Sequence, residues 1–441
     1  MSLLSGFEAY YKRVHSIGET YETSDLGTSP IFDYQTIPVS VELASELDYR
    51  LEQLASYYIK KESRATDILT NGLHIPSPMT FTRLQQRYIT LLNKHPDHGI
   101  MSIAKKLEVS PRTAKREMIN LFSQYGFHVA ARLDYHQFGL VHYGVRFRAQ
   151  SLSKAQKFDL WMHTELMHGK TLPFLLGYGW DVNQMDGCLF LLVPNQTLQL
   201  QRVKQIIEEI RNQYCTSIEY HEITGFYSNL SFDFYDHTSA EWQIVSDLLT
   251  EGTLKFIENH GPQFSALQGF NYAAYSHSFN QADWILALCL SEGLLTKHER
   301  QELLETLGLS LASKTIWTHE NHIKKSKKLC PYVTYSRLAF NDFLCIFLTC
   351  DDSRHELLHQ LLSHHAMSHI FPTKEGAILV IGIPTGGASF LKHLTRTLLT
   401  VKGIQRITPI RLKREPSWTP HIRTHILWNH KRTQWIEPRD Q

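Results

Sequence analysis

The chain has 441 residues, which at about 150 residues per domain predicts about three domains rather than one core. Lys and Arg total 45 against 43 Asp and Glu, a formal net charge of +2 that excludes a uniformly polycationic surface and an acidic disordered tail. With 42% hydrophobic and 11% aromatic residues, there is apolar material for several packed cores.

Met1 to Arg13 has neither a charged start nor a long apolar stretch and is not expected to be a secretory signal. Residues 1–80 form an acidic N-terminal extension with eleven acidic and six basic side chains, in which Ser40 to Lys61 is expected to be helical. Residues 81–150 reverse the balance, with four acidic and eleven basic side chains, so the near-neutral total hides a polarised chain. Leu84, Tyr88, Leu91 and Leu92 recur at i, i+4, i+7 and i+8, which predicts an amphipathic helix. A short helix with Ile103, Ala104 and Leu107 follows, then a turn at Glu108 and Val109. Ser110 is placed to cap the next helix, with Pro111 at its first position, inward residues Ala114, Met118 and Leu121, and an end near Gly126. Short helix, tight turn and capped second helix make a helix-turn-helix, assigned with its wing to 81–135.

Residues 136–222 read as βαββαβ: a strand from Val141 to Phe147, a helix through Phe158 and Met162, and strands near Leu172 to Leu176 and Leu189 to Val193. A helix with Val203, Ile206, Ile207 and Ile210 and a strand at Ile218 and Tyr220 complete it. That order is a ferredoxin-like sandwich. Residues 223–281 form a connector with a helix at Trp242 to Glu258, and the pattern then returns. A degenerate winged helix-turn-helix is assigned to 282–338, a second βαββαβ domain to 339–415, and a basic tail with three tryptophans to 416–441. The period is about 200 residues: Leu107-Glu108-Val109-Ser110 returns as Leu307-Gly308-Leu309-Ser310, Phe32-Asp33-Tyr34 as Phe232-Asp233-Phe234, and Pro194 as Pro384. The fold class is therefore α+β, as two tandem repeats, each a winged helix-turn-helix followed by a ferredoxin-like βαββαβ domain.

A winged helix-turn-helix joined to βαββαβ resembles the Lrp/AsnC family of transcription regulators. The steps Gly126-Phe127-His128-Val129, Leu133-Asp134 and Phe138-Gly139 fall where that family has a Gly ending the recognition helix, a short strand, a Leu-Asp step and then Leu-Gly. The likeness covers roughly residues 82 to 222. The family's turn carries Gly where Glu108 stands here, although Gly308 occupies the second copy. Its ligand loop runs Gly-x-x-Asp, whereas here Gly177, Gly179, Trp180 and Asp181 bring the Asp one residue late.

The resemblance implies a cytoplasmic, sequence-specific regulator that binds double-stranded DNA. Its two halves would pair within one chain as a pseudo-dimer, with room for further self-association and for a small-molecule effector such as an amino acid at Gly177, Gly179, Trp180 and Asp181. Ser110, Arg112, Thr113, Lys115 and Arg116, at the start of the first recognition helix, are the expected DNA contacts, because Arg suits guanine edges and Lys suits phosphates. Lys314, Lys324 and Lys325 supply auxiliary contacts from the second module. No membrane partner is expected, since no apolar run approaches the ~18 residues a span needs. Six cysteines without a CxxC point to reduced thiols rather than disulfides or zinc knuckles.

His355-Glu356-Leu357-Leu358-His359 fits H-E-x-x-H, and His365 falls where an extended zinc motif has its third ligand. That motif needs Gly where Leu362 stands, and in a continuing helix His365 would lie ~15 Å along the axis from His355 at ~1.5 Å per residue. The match is taken as chance, no catalytic residue, metal or cofactor is assigned, and the chain is expected not to be an enzyme. The rival is an enzyme on the same scaffold, resembling the siroheme decarboxylases, with His142, Arg146 and Arg148 as candidates for tetrapyrrole propionates. A third alternative is a protein-interaction module without DNA binding.

Overall fold

The computed structural model describes residues 81–96, 98–125, 127–168, 172, 175–181, 183–230, 235–236, 241–242, 268–273, 280–292, 301, 304–305, 309–325, 329–334, 340–351, 358, 362, 367–384, 394–396, 398–399, 403–412, 417–418, 428–429 and 434–435. The helix expected at Ser40 to Lys61, that expected at Trp242 to Glu258 apart from Trp242, which ends a short strand Glu241–Trp242, and the histidines and Glu356 of the H-E-x-x-H stretch lie outside them. Pro78–Leu121, Phe127–Thr334 and Phe340–Gln441 form one compact unit, which holds every element below except the last turn of α3. No helix among the described residues is long and apolar enough to cross a membrane.

Three helices come first: α1 (Arg83–Lys94), α2 (Ile100–Leu107) and α3 (Pro111–Tyr125). Thr82 caps α1 in a reciprocal box, its Oγ1 accepting from Gln85 N at 3.2 Å while Gln85 Oε1 accepts from Thr82 N at 2.9 Å. β1 (His128–Leu133) and the 3-10 turn Tyr135–Phe138 lead into β2 (Leu140–Ala149). Then follow α4 (Leu152–His168), β3 (Leu175–Trp180), β4 (Asp186–Pro194), α5 (Thr197–Tyr214) and β5 (Cys215–Ile223). β6 (Gly225–Leu230) and β7 (Gln268–Asn271) precede α6 (Gln281–Glu292) and α7 (Ser313–Lys325). The rest comprises β8 (Leu329–Thr334), β9 (Phe340–Cys350), β10 (Met367–Thr373), β11 (Gly376–Pro384), β12 (Ile404–Leu412) and β13 (Ser417–Trp418).

The elements make a mixed α+β architecture with antiparallel pairing. The main sheet runs β12-β9-β11-β10-β5-β2-β4-β3-β13, with β6 pairing β10 and β7. Within it, β5-β2-β4-β3 and β12-β9-β11-β10 have the same connectivity, each with its first strand inside and its last strand at one edge. β10 meets β5 at Thr373↔Ile223, and Asp181, just after β3, makes an isolated bridge to Leu412 of β12, so the two four-strand sets touch at a second place. β1 and β8 form a separate antiparallel ladder from His128↔Thr334 to Leu133↔Leu329.

Strand periodicity distributes the side chains. On β9, Leu344, Ile346 and Leu348 enter a core with Leu358, Leu362, Leu379, Ile381, Leu394 and Leu398. On β2, Phe147 packs edge-on to Phe158 of α4 at 5.0 Å, while the alternate residues His142 and Gly144 turn toward the other four-strand set. An added Cβ on Gly144 would meet the end of the Ile378 side chain of β11, which would have to shift, so the two four-strand sets approach closely there. His142 meets Phe371, and His221 meets both Phe347 and Glu375.

Candidate functional site

Two helices, α2 and α3, stand on either side of a tight turn, where the apolar spacing predicts them. Ile103, Ala104 and Leu107 of α2 are buried, and Glu108 ends that helix at φ 59°, ψ 40°, the left-handed conformation that glycine adopts without strain. Ser110 Oγ accepts from Thr113 N at 3.1 Å and lies 2.9 Å from Thr113 Oγ1, so both predicted contact residues build the cap of α3. Arg112, Lys115, Arg116 and Ile119 are exposed and recur at i, i+3, i+4 and i+7, which places them on one outward face. Ala114, Glu117 and Leu121 are buried on the opposite face. Met118, expected inside, is 40% exposed; Glu117 takes the inward position, with Arg116 Nε 3.4 Å from its Oε1. Lys105 and Lys106 extend the basic surface at the end of α2.

On α7, Lys314, Lys324 and Lys325 are exposed, the last two in the final turn, while Ile316, Glu320 and Ile323 are buried. Asn280 and Asp283 cap α6 reciprocally, and Asp283 Oδ1 also receives His319 Nδ1 of α7 at 2.8 Å. α6 is apolar on nearly every face, with Ala282 to Cys289 buried without a break, so it is a core helix rather than an amphipathic one.

Gly177, Gly179 and Trp180 stand within β3, and only Asp181 lies at its end, so the expected ligand loop is a strand leading into a tight hairpin. Asp181 Oδ1 accepts from the backbone N–H of Met185 at 2.7 Å and of Asp186 at 3.0 Å, which shapes that hairpin. Trp180 is buried between Phe147 and Phe158, and its indole N–H has no hydrogen-bond partner among the described residues.

A second concentration of functional side chains gathers where β1 crosses the main sheet. Arg132 is buried with its guanidinium carbon 4.9 Å from the Phe226 ring centre and 5.5 Å from those of Tyr135 and Phe371. His142 is fully buried on β2, its Nδ1 3.1 Å from the Tyr272 hydroxyl. His369 of β10 lies 2.9 Å from Ser228 Oγ; burial, helped by the Arg132 charge, pushes its pKa down to about 3 and keeps the imidazole neutral. Burial raises the Tyr272 phenol, offset in part by Arg132. Burial also raises the Asp134 carboxyl, although it accepts from Ala273 N and Gln137 Nε2, both at 2.8 Å. A guanidinium, two imidazoles and a phenol thus meet from three strands, β1, β2 and β10, and the segment after β7. Of these residues, sequence analysis singled out only His142. Arg146 is engaged by Asp186 at 3.6 Å and Glu219 at 3.4 Å, and Arg148 is mostly exposed.

No protein-family profile and no curated protein sequence matches the chain. Among solved structures, the siroheme decarboxylase NirDL aligns over 75% of this chain and 91% of its own, at 10% identity and a TM-score of 0.44. Its complex with an iron-uroporphyrin III analogue aligns over 75% and 92%, at 11% identity and a TM-score of 0.45. LrpC of B. subtilis aligns over 33% of this chain and 95% of its own, at 18% identity and a TM-score of 0.25. An AsnC family regulator from Agrobacterium tumefaciens aligns over 32% and 89%, at 10% identity and a TM-score of 0.24. Because an enzyme aligns with three quarters of the chain, the expectation that the protein is not an enzyme does not stand.

Proposed function

We propose that the protein is a DNA-binding regulator of Lrp/AsnC type, in which the two halves of one chain take the places of two subunits. The observation that carries this reading is the outward face of α3, where Arg112, Lys115 and Arg116 project from a capped helix that follows a tight turn. Three cations on one helical face suit a groove lined by phosphates and guanine edges. The pseudo-dimer is supported by the matching strand orders, by the β1·β8 ladder and by the two meeting points Thr373↔Ile223 and Asp181↔Leu412. Lys314, Lys324 and Lys325 add backbone contacts from α7. A small-molecule effector at Gly177 to Asp181 belongs to the same proposal, and the buried Trp180 N–H would donate to its carboxylate or carbonyl oxygen.

Arg112→Ala combined with Arg116→Ala is expected to abolish retention of duplex DNA in an electrophoretic shift at low salt. For the unaltered chain, log affinity should fall linearly with log salt, with a slope of about −0.9 per neutralised phosphate. Unchanged binding by the double variant, or a flat salt response, sinks the reading.

One observation favours a second reading, an enzyme that processes a carboxylate-rich tetrapyrrole. Arg132, His142, Tyr272 and His369 are contributed by both halves and combine a guanidinium, two imidazoles and a phenol with aromatic walls. Siroheme or haem added to the purified chain would then give a sharp Soret shift with turnover, and a spectrum equal to that of the free tetrapyrrole rejects this alternative.

A further inference from the structure

We infer that the protein reads two unlike half-sites, with α3 specifying guanine and α7 specifying adenine. The inference rests on the DNA-binding reading above and assigns base recognition to a second surface. Antiparallel pairing of β1 with β8 sets a local two-fold axis beside Ala130, Ala131, Pro331 and Tyr332, and α3 and α7 directly precede these strands. The exchange is reciprocal, since α6 packs against β1 and α1 packs against β8. The two recognition helices therefore occupy equivalent places about one axis, the arrangement that meets successive half-sites of a duplex.

Their outward faces differ. On α3 the exposed residues are Arg112, Lys115, Arg116 and Ile119. On α7, Lys314, Thr318, Asn321 and Lys325 recur at i, i+4, i+7 and i+11, opposite the buried Ile316, Glu320 and Ile323. Lys314, Thr318 and Lys325 are exposed and Asn321 is half-buried. The Thr318 hydroxyl donates to Lys314 O at 2.9 Å, which leaves its methyl as an outward apolar group. Arg pairs with guanine O6 and N7, Asn pairs with adenine N6 and N7, and a threonine methyl suits the thymine methyl. Two lysines at the ends of the α7 stripe supply phosphate contacts, so this face has both the charge and the readout groups that a duplex requires.

The test is selection of binding sites from random duplexes by the full chain, repeated with Asn321→Ala, Asn321→Asp and Lys314→Ala. The expected wild-type site has two dissimilar halves with an essential A·T pair in one. Replacing that pair, or introducing Asn321→Ala, should weaken binding by about 5- to 150-fold. Asn321→Asp, nearly isosteric, should move the preference from adenine to cytosine at that position alone. Lys314→Ala should weaken every duplex alike and lower the salt slope by about 1. A palindromic site, or base preferences unchanged by both Asn321 variants while α3 variants still abolish binding, overturns the inference alone. Failure of the wild-type chain to retain any duplex overturns the DNA-binding reading and the inference with it.

Discussion

Glu108 shows how a single backbone conformation carries meaning that its side chain conceals. At φ 59° it holds the turn between α2 and α3 in the left-handed region, at a cost of about 1–2 kcal/mol for a residue with a Cβ. Glu108→Gly removes that strain but loses about 0.5–1 kcal/mol through the greater freedom of the unfolded chain. The expected outcome is a net gain of up to about 1 kcal/mol, read as a higher urea midpoint with an unchanged slope; a lower midpoint contradicts the turn geometry. The position was legible as a tight turn because Glu108 and Val109 stand between an apolar helix stripe and the Ser110-Pro111 start signal. Arg132 was not legible: nothing in His128–Leu133 distinguishes its guanidinium from a solvated one, and its environment comes from Phe226 and Phe371, far away in sequence.

At the scale of elements, helix faces and strand alternation were readable wherever one side is buried and the other wet. α3, β2, β4 and α5 stand within a few residues of where apolar spacing placed them. The departures have physical causes. Met118 lies outside because the buried stripe of α3 runs through Ala114, Glu117 and Leu121, which lets a partly paired carboxylate take the inward place. The Gly177 to Asp181 stretch extends as a strand because its backbone pairs with β4 on one side and β13 on the other, pairings that local glycine content does not announce. The cap of α3 supports a prediction at this scale. Ser110→Ala should cost about 1 kcal/mol by leaving the Thr113 N–H without its acceptor. Ser110→Asp should keep the cap yet weaken duplex binding by adding a negative charge beside the phosphates. Denaturant melts and electrophoretic shifts separate these effects, and equal stability of Ser110→Ala and the parent would remove the cap from the account.

For the whole molecule, the contact between the two four-strand sets joins folding to pH. His369 has its pKa depressed to about 3 by burial and by Arg132, below the ~6.5 of an unfolded histidine. Its stabilising contribution is therefore complete above pH ~6.5 and is lost as pH falls from there toward 3, because only the unfolded chain takes up the proton. Burial lowers the pKa of His136 as well, adding a loss of the same sign. Urea midpoints should fall between pH 7.5 and pH 5.5, by less in His369→Gln than in the parent, and a pH-independent midpoint in that window rules out neutral burial of His369. The net charge of +2 shows none of this, since it sums an acidic N-terminal segment with a basic helix-turn-helix.

By itself the amino-acid sequence determined the element types and the basic face of α3, because each depends on neighbours within a turn or a strand. Only the tertiary structure decided that β1 pairs with β8, that Asp181 after β3 bridges Leu412 of β12, and that Arg132, His142, Tyr272 and His369 share one cluster. Most of those contacts join residues far apart in the chain, and the burial and charge that tune them exist only once the chain has closed.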